Sequence, residues 1–314
     1  MMILSLIFLA AGGVLLVKGA DMLIEGGVGI ALKSGVSQLV VGLTIVAFGT
    51  SAPELTVSLT AAFQGKGDIC FGNVVGSNIA NIALILGVAA VLSPVIVNKN
   101  LFKWELPFML IISVITMYVG YTREAGLIIG LVFLLLFAYY IYHCFKSPTE
   151  TPDVDEDDAH KTYPVLILLV CVGIAGLGLG GYLFVEGATK IARLLGVSES
   201  VIALTIVAFG TSLPELFTSV IASLKKQSDI SLGNIVGSNI FNILLVIGTT
   251  ATIRPFSITP DTYLDYVGLP FMLIAAFLLI PFALTDRSIT RFEGAVFVIL
   301  YCISIVLAVI ISGM

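Results

Sequence analysis

Two glutamates, Glu54 and Glu215, lie in nearly identical apolar segments of this 314-residue chain. Residues 43–55 read LTIVAFGTSAPEL and residues 204–216 read LTIVAFGTSLPEL, so the two segments differ at one position. In each copy a threonine and a serine lie four and three residues before the glutamate, which places the three side chains on one face of a helix. A carboxylate beside two hydroxyls is a set of oxygen ligands suited to a hard cation.

A second pair of segments supplies further oxygen-bearing side chains at the same spacing. GNVVGSNIANI (72–82) corresponds to GNIVGSNIFNI (233–243), and each copy carries a serine and an asparagine four residues apart. Neither pair of segments contains histidine or cysteine, so the set favours calcium or sodium over zinc or copper. With the alanine carbonyls that a helix break is expected to free, the candidate ligands are Ala47, Thr50, Ser51, Glu54, Ser77, Asn81, Ala208, Thr211, Ser212, Glu215, Ser238 and Asn242.

The composition predicts that these segments lie in a membrane. The chain is 58% hydrophobic and 11% charged with a mean hydropathy of +1.11, whereas a soluble domain carries about 25% charged residues. The net charge of −5 comes largely from one acidic stretch, so nothing indicates nucleic-acid binding. Apolar runs long enough to span a bilayer predict ten helices near 2–31, 37–64, 70–92, 103–121, 124–145, 163–193, 198–225, 230–252, 263–284 and 291–312.

The repeat extends over both halves of the chain and predicts their relative orientation. We expect a first half at 1–145, an acidic linker at 146–162 and a second half at 163–314, with five spans in each half. Because five is odd, the second half enters the membrane from the opposite side. The predicted fold is therefore an all-α membrane protein of two inverted five-helix repeats, with helices 2 and 7 broken by the Gly and Pro of the doubled motif.

Basic residues set the expected orientation, because Lys and Arg accumulate in cytoplasmic loops. The distribution of basic residues given below favours an N-terminus outside the cell membrane, which makes the linker cytoplasmic. Lys18 falls inside the first span and is assigned to neither side. The inside loops then hold Lys33, Lys99, Lys103, Lys146, Lys161, Lys225, Lys226, Arg287 and Arg291, against Lys66, Arg123, Lys190, Arg193 and Arg254 outside.

Simpler roles exist for several of these residues. The prolines alone are compatible with plain kinks, but an acid at the centre of a bilayer costs about 2.5–3.5 kcal/mol, so two glutamates in matched positions indicate function. Asn81 and Asn242 also suit hydrogen bonds between helices. Their neighbours Asn73, Asn78, Asn234 and Asn239 are interpreted as packing groups or caps, Asp68 and Asp229 as helix N-caps, and Glu25 and Glu186 as partners in ion pairs near the membrane surface.

The paired GTS-x-PE and GN-x-x-GSNI-x-N elements resemble the two α-repeats of the calcium/cation antiporter superfamily, which contains the sodium/calcium exchangers. The resemblance covers nearly the whole chain. It implies the twelve ligands given above and alternating access, with the first helix of each half sliding across the core. It also implies calcium and sodium as transported ions, no cofactor and no enzymatic activity.

One departure from the family pattern bears on the ions that are exchanged. Several exchangers carry Asp where this chain has Asn242, which argues against potassium co-transport. Two carboxylates are neutralised by one calcium, two sodium ions or two protons, whereas three sodium ions leave a positive charge. A proton/calcium exchanger with the same site stays open, and a cation channel and an intramembrane hydrolase are rivals from other classes. The oligomeric state is left open.

Overall fold

The computed structural model describes residues 2–146, 161–196 and 208–311 and shows a helical protein with four two-residue strands. The expected acidic linker lies mostly outside the described residues. The strands are β1 (Val95–Ile96), β2 (Glu124–Ala125), β3 (Phe256–Ser257) and β4 (Ser288–Ile289). The helices are α1 (Met2–Ser34), α2 (Gln38–Thr50), α3 (Ala52–Phe63), α4 (Gly67–Leu92), α5 (Glu105–Thr122), α6 (Leu127–Lys146), α7 (Tyr163–Leu194), α8 (Leu213–Leu224), α9 (Ser228–Ile253), α10 (Leu264–Leu284) and α11 (Arg291–Ile311).

The chain is an all-helical membrane protein. In the described ranges, eight helices are long and apolar enough to cross a membrane, and the bent pair α2–α3 makes nine. These helices agree closely with nine of the ten predicted spans. The remaining prediction, 198–225, falls partly outside the described residues, which resume at residue 208. Large apolar side chains cover the outward faces of the peripheral helices, as Ile128 on α6 and Ile167 on α7 do, and lipid is the solvent that suits them.

Helices α1 and α7, the first of each half, pack against each other antiparallel and at very short range. A Cβ atom built on Gly12 would lie 2.7 Å from the carbonyl oxygen of Gly180, and one on Gly180 would lie 3.0 Å from that of Gly12. Glycine lets two backbones approach this closely in a membrane. We call these six residues, spaced seven apart in each helix, the glycine seam: Gly12, Gly19 and Gly26 on α1 and Gly173, Gly180 and Gly187 on α7.

Short strands and two aspartates tie the halves together outside the helices. Strand β1 pairs with β4 and β2 pairs with β3, and each antiparallel pair joins one half to the other. Asp68 Oδ1 accepts a hydrogen bond from the Thr259 amide at 2.6 Å, and Asp229 Oδ2 accepts one from Asn98 Nδ2 at 3.3 Å. The aspartates therefore connect the two halves.

The prediction that Asp68 and Asp229 are N-caps is wrong. Both lie in the first turn of a helix, α4 or α9, and the cap positions before them form no side-chain cap bond. Each carboxylate instead accepts a hydrogen bond from a loop of the opposite half, and the sequence does not indicate where that loop lies. The predicted ion pairs of the two repeated glutamates are present, because Glu25 pairs with Lys161 and Glu186 with Lys190.

Candidate functional site

The first copy of the doubled motif interrupts a helix, and in the second copy a helix begins at the matching residue. Helices α2 and α3 meet at Ser51 with a bend of 45°, which confirms the predicted break in the second span. In the other copy the helical turn Ala208–Gly210 precedes Thr211, and α8 begins at Leu213. Proline in the first turn of α3 and of α8 lacks an amide hydrogen, so a helix can begin there but cannot continue undisturbed across it.

The break does not free the carbonyl that the sequence indicated. Ala47 O accepts a hydrogen bond from Ser51 N at 3.0 Å and lies 3.3 Å from Thr50 Oγ1. The expectation that this carbonyl lacks its usual partners is therefore wrong. Pro53 instead removes the donor that would serve Gly49 O, four residues earlier, because a proline nitrogen carries no hydrogen.

The two glutamates lie in one buried region and are bonded crosswise between the halves. Ser51 Oγ donates to Glu215 Oε1 at 3.1 Å, and Ser212 Oγ donates to Glu54 Oε1 at 3.3 Å. Ser77 Oγ approaches the same oxygen of Glu54 at 3.5 Å. Both glutamate side chains are 0% exposed, so the structure brings together two carboxylates far apart in sequence and away from bulk water.

Several buried side-chain oxygens of the predicted ligands have no hydrogen-bond partner within the described part of the chain. The group includes one carboxylate oxygen of each glutamate and the side-chain oxygen of each predicted ligand asparagine. Buried polar atoms are normally satisfied, so a cluster of unpaired oxygens indicates a ligand that donates or carries positive charge. These oxygens are Glu54 Oε2, Glu215 Oε2, Asn81 Oδ1, Asn242 Oδ1 and Thr211 Oγ1.

The charge of the pair has no protein counterpart among the described residues. The Lys and Arg ion pairs found there involve other acids, such as Asp21 with Lys225 at 2.7 Å and Asp265 with Arg123 at 2.6 Å. No cluster of three or more His, Cys, Asp and Glu side chains occurs in the same ranges. Two buried negative charges without a basic partner are costly, and an oxygen-only set fits a hard cation.

The hydroxyls of the two halves also meet. Thr50 Oγ1 lies 3.3 Å from Ser238 Oγ and donates to Asn234 Oδ1 at 3.0 Å. Ser238 is 0% exposed. These contacts bring the side chains of the first motif against α9, which carries the second serine–asparagine motif, so the predicted hydroxyl ligands share the buried region of the glutamates.

The asparagines interpreted as packing groups do hold helices together. Asn73 Nδ2 donates to Ser58 Oγ at 3.0 Å and to the carbonyl of Glu54 at 3.2 Å. In the second copy Asn234 Nδ2 donates to Ser219 Oγ at 2.9 Å. The two serines were missed by the sequence reasoning, although they occupy matching places in the repeat.

The ligand amides form a crossed network of their own. Asn242 Nδ2 donates to Asn78 Oδ1 at 3.3 Å, and Asn81 Nδ2 lies 3.5 Å from Asn239 Oδ1. Asn81 and Asn242 therefore bond across helices, as the simpler interpretation expected, and still keep a free oxygen each. The two roles are compatible.

Wide helical turns accompany the site. Three segments are π-helical: Ala80–Leu86, Asn242–Ile247, and Gly42–Val46 just before the first break. Such turns are rare and concentrate at functional sites. Tyr140 on α6, a residue that the sequence reasoning missed, donates to the carbonyl of Leu43 in the last of these segments at 3.0 Å.

A cavity of about 230 Å³ lies between α7 and the first turns of α3 and α8. Its walls include Pro53, Thr211 and Pro214 from the doubled motif and Tyr182 from α7. Thr211 is half-buried, and its Oγ1 is one of the unpaired oxygens. The cavity therefore reaches a residue of the site from the side of α7.

Known proteins are similar to this chain over most of its length. The family model described as sodium/calcium exchanger protein matches residues 4–146 and 165–310. The chain is 38% identical over 270 residues to the putative antiporter CaxA of Alkalimonas amylolytica, covering 81% of this chain and 82% of that protein. It is 32% identical to the sodium/calcium exchanger MaX1 of Methanosarcina acetivorans, covering 96% and 97%. A solved structure of the sodium–calcium exchanger NCX_Mj superposes with a TM-score of 0.85 at 35% identity, covering 98% and 99%.

Proposed function

Because the chain belongs to the sodium/calcium exchanger protein family, we propose that it is a secondary active antiporter that exchanges calcium for sodium across a membrane. The observation that carries this proposal is the buried pair of Glu54 and Glu215, which is bonded crosswise through serines and keeps one unpaired oxygen on each carboxylate. The relatives named as an exchanger and a putative antiporter support the same function.

The transported ion binds between the two helix breaks. The carboxylates supply the charge, and hydroxyl, amide and carbonyl oxygens complete a shell of the kind that calcium and sodium take. Ala47 joins it through the carbonyl lone pair that Ser51 N leaves free, with the Thr50 hydroxyl hydrogen donated to Asn234 Oδ1. The proposed ligands are Ala47, Thr50, Ser51, Glu54, Ser77, Asn81, Ala208, Thr211, Ser212, Glu215, Ser238 and Asn242.

Competition between ions provides the exchange. Two negative charges in a dehydrated site are neutralised by one calcium ion or by two sodium ions, so with either load the site can close on one side of the membrane and open on the other. A site without cations keeps both charges, and closing it off from water is costly. Calcium transport is therefore obligatorily coupled to the return of another cation.

Alternating access follows from two inverted five-helix repeats, at 1–145 and 163–314, joined by the linker 146–162. The antiparallel packing of α1 and α7 supports this arrangement, as do the two strand pairs that join the halves. The glycine seam makes α1 and α7 one body that slides across the remaining helices. The cavity at Pro53 and Pro214 is a route to the site. The charge distribution of the loops supports an N-terminus outside the cell membrane and a cytoplasmic linker.

The test is calcium uptake into proteoliposomes under a clamped potential, with sodium, potassium and proton gradients imposed one at a time. The expected result is uptake driven by an outward sodium gradient at fixed pH and unaffected by potassium. Uptake driven only by a proton gradient would replace sodium by protons at the same site. Passive calcium conductance with equal sodium on both sides would indicate a channel and overturn the proposal.

A further inference from the structure

We propose that Asn78 and Asn239 are positioning residues that fix the side-chain amides of Asn242 and Asn81, so that each presents its oxygen to the ion. The inference rests on the proposed function, because it concerns the orientation of two of the proposed ligands. All four side chains are buried, with at most 2% exposed.

An amide is an ambiguous ligand. One end is an acceptor oxygen and the other is a donor NH₂ group, and a half-turn of the side chain exchanges them. A cation binds the oxygen and is repelled by the NH₂ group. Whichever protein group accepts a hydrogen bond from the nitrogen therefore decides whether the side chain serves as a ligand. A carboxylate has no such requirement, since both of its ends are oxygens.

The structure supplies an acceptor for each nitrogen. Asn242 Nδ2 donates to Asn78 Oδ1 at 3.3 Å, and Asn81 Nδ2 lies 3.5 Å from Asn239 Oδ1. The opposite ends, Asn242 Oδ1 and Asn81 Oδ1, are buried and have no hydrogen-bond partner in the described ranges. Both amides are thus held at the nitrogen and left free at the oxygen.

The orientation of Asn78 is itself fixed. Its Nδ2 donates to the backbone carbonyl of Asn239 at 3.4 Å, and a backbone carbonyl is always an acceptor. The Asn78 oxygen must then point the other way, toward the nitrogen of Asn242. A backbone group of α9 therefore determines, through one side chain of α4, which end of the Asn242 amide is free.

The held amides lie next to the glutamates. Asn81 lies one helical turn after Ser77, and Ser77 Oγ approaches Glu54 Oε1. Asn242 lies one helical turn after Ser238, and Ser238 Oγ lies 3.3 Å from Thr50 Oγ1. Each link crosses from α4 to α9, so each half orients an amide of the other half.

A double-mutant cycle at Asn78 and Asn242 tests the assignment. The full-length Asn78→Ala, Asn242→Asp and doubly substituted proteins are compared with the wild type for the calcium KM of sodium-driven uptake in proteoliposomes. Asn78→Ala is expected to raise KM about fivefold, the usual effect of losing one hydrogen bond between neutral groups. In the Asn242→Asp background the same substitution is expected not to raise KM, because a carboxylate needs no orienting partner and has no hydrogen to donate to the Asn78 oxygen.

A cross-combination distinguishes orientation from general damage to packing. The double variant Asn78→Ala/Asn81→Asp places a carboxylate at the other ligand amide, Asn81, whose nitrogen is not bonded to Asn78. This variant is expected to keep the raised KM. An unchanged KM in Asn78→Ala overturns the proposal, as does equal rescue by Asn81→Asp and Asn242→Asp, or rescue by neither. If Asn78→Ala does not purify as a folded protein, Asn78→Leu, which nearly preserves the shape of asparagine, replaces it in the same cycle.

Failure of this proposal and failure of the proposed function give different results. If the wild type shows no sodium-driven calcium uptake, the antiporter function is wrong. If the wild type transports and Glu54→Gln does not, while Asn78→Ala transports with an unchanged KM, the function stands and the positioning role is lost.

Discussion

The hydroxyl of Ser51, in the first half of the chain, donates a hydrogen bond to Glu215 Oε1, in the second half, at 3.1 Å. The reciprocal bond from Ser212 to Glu54 has nearly the same length, 3.3 Å. Each glutamate is therefore supported by the motif of the other half, although its own motif contains a serine three residues away. The candidate site is thus shared equally between the two halves.

Removing either crossed hydroxyl should weaken calcium binding without abolishing transport. Ser51→Ala and Ser212→Ala each delete a hydrogen bond to a charged group, worth about 1.5–3 kcal/mol, so we expect the calcium KM to rise by roughly tenfold or more. The measurement is sodium-driven calcium uptake. Ser113→Ala is the matched control, because that buried hydroxyl donates within its own helix, to the carbonyl of Met109. An effect confined to one of the two serines would contradict the equal sharing of the site.

Neutralising either glutamate should abolish calcium transport. Glu54→Gln or Glu215→Gln removes half of the charge that a divalent ion compensates and puts an NH₂ group where an oxygen faced the ion. Calcium uptake should fall to background, while the variants elute from a sizing column as the wild type does. Glu186→Gln, which breaks only the partly exposed pair with Lys190, should leave transport intact. Retained uptake in either central variant would remove that residue from the site.

The glycine seam should tolerate no side chain. In Gly180→Ala the new Cβ would lie 2.8 Å from the Leu16 amide nitrogen of α1, so the two backbones must separate. Overpacking of this kind costs about 1–3 kcal/mol, and the melting temperature in detergent should fall. Gly178→Ala is the control on the same helix, since its Cβ would meet nothing within 4 Å; it should leave the melting temperature unchanged or raise it slightly. Equal effects of the two substitutions would refute the close packing.

The link from Asp68 to Thr259 should contribute to stability through its acceptor oxygen rather than through its charge. Asp68→Ala deletes the acceptor of the Thr259 amide and should lower the free energy of unfolding by about 1 kcal/mol. Asp68→Asn keeps an oxygen at the same place and should cost less. Thermal unfolding of the two variants, measured in parallel, decides between these contributions. A larger loss in the asparagine variant would point to charge instead.

Most of the architecture could be predicted because its causes are local. Apolar runs fixed nine spans to within a few residues, and proline after glycine fixed the break at Ser51. The identity of the two motifs also indicated that both glutamates belong to one site. Side-chain types and helical spacing were enough for these conclusions, since both reflect the physics of one short segment.

The contacts between distant segments could not be predicted. Nothing near Asp68 in the sequence indicates that the Thr259 amide lies beside it. The π-helical turns at Ala80–Leu86 and Asn242–Ile247 leave no mark in composition. The orientation of the Asn242 amide depends on a residue of the other half, Asn78.

The crossed serine–glutamate bonds restrict how the two motifs can evolve. A substitution in one copy changes the environment of the other copy's glutamate, so neither copy can drift alone. The one difference between the motifs, Ala52 against Leu213, falls at a position that takes no part in these bonds, and Leu213 packs in the apolar core beside α1. Reciprocal dependence of this kind accounts for two motifs that are nearly identical within one chain, although the residues around them differ between the halves.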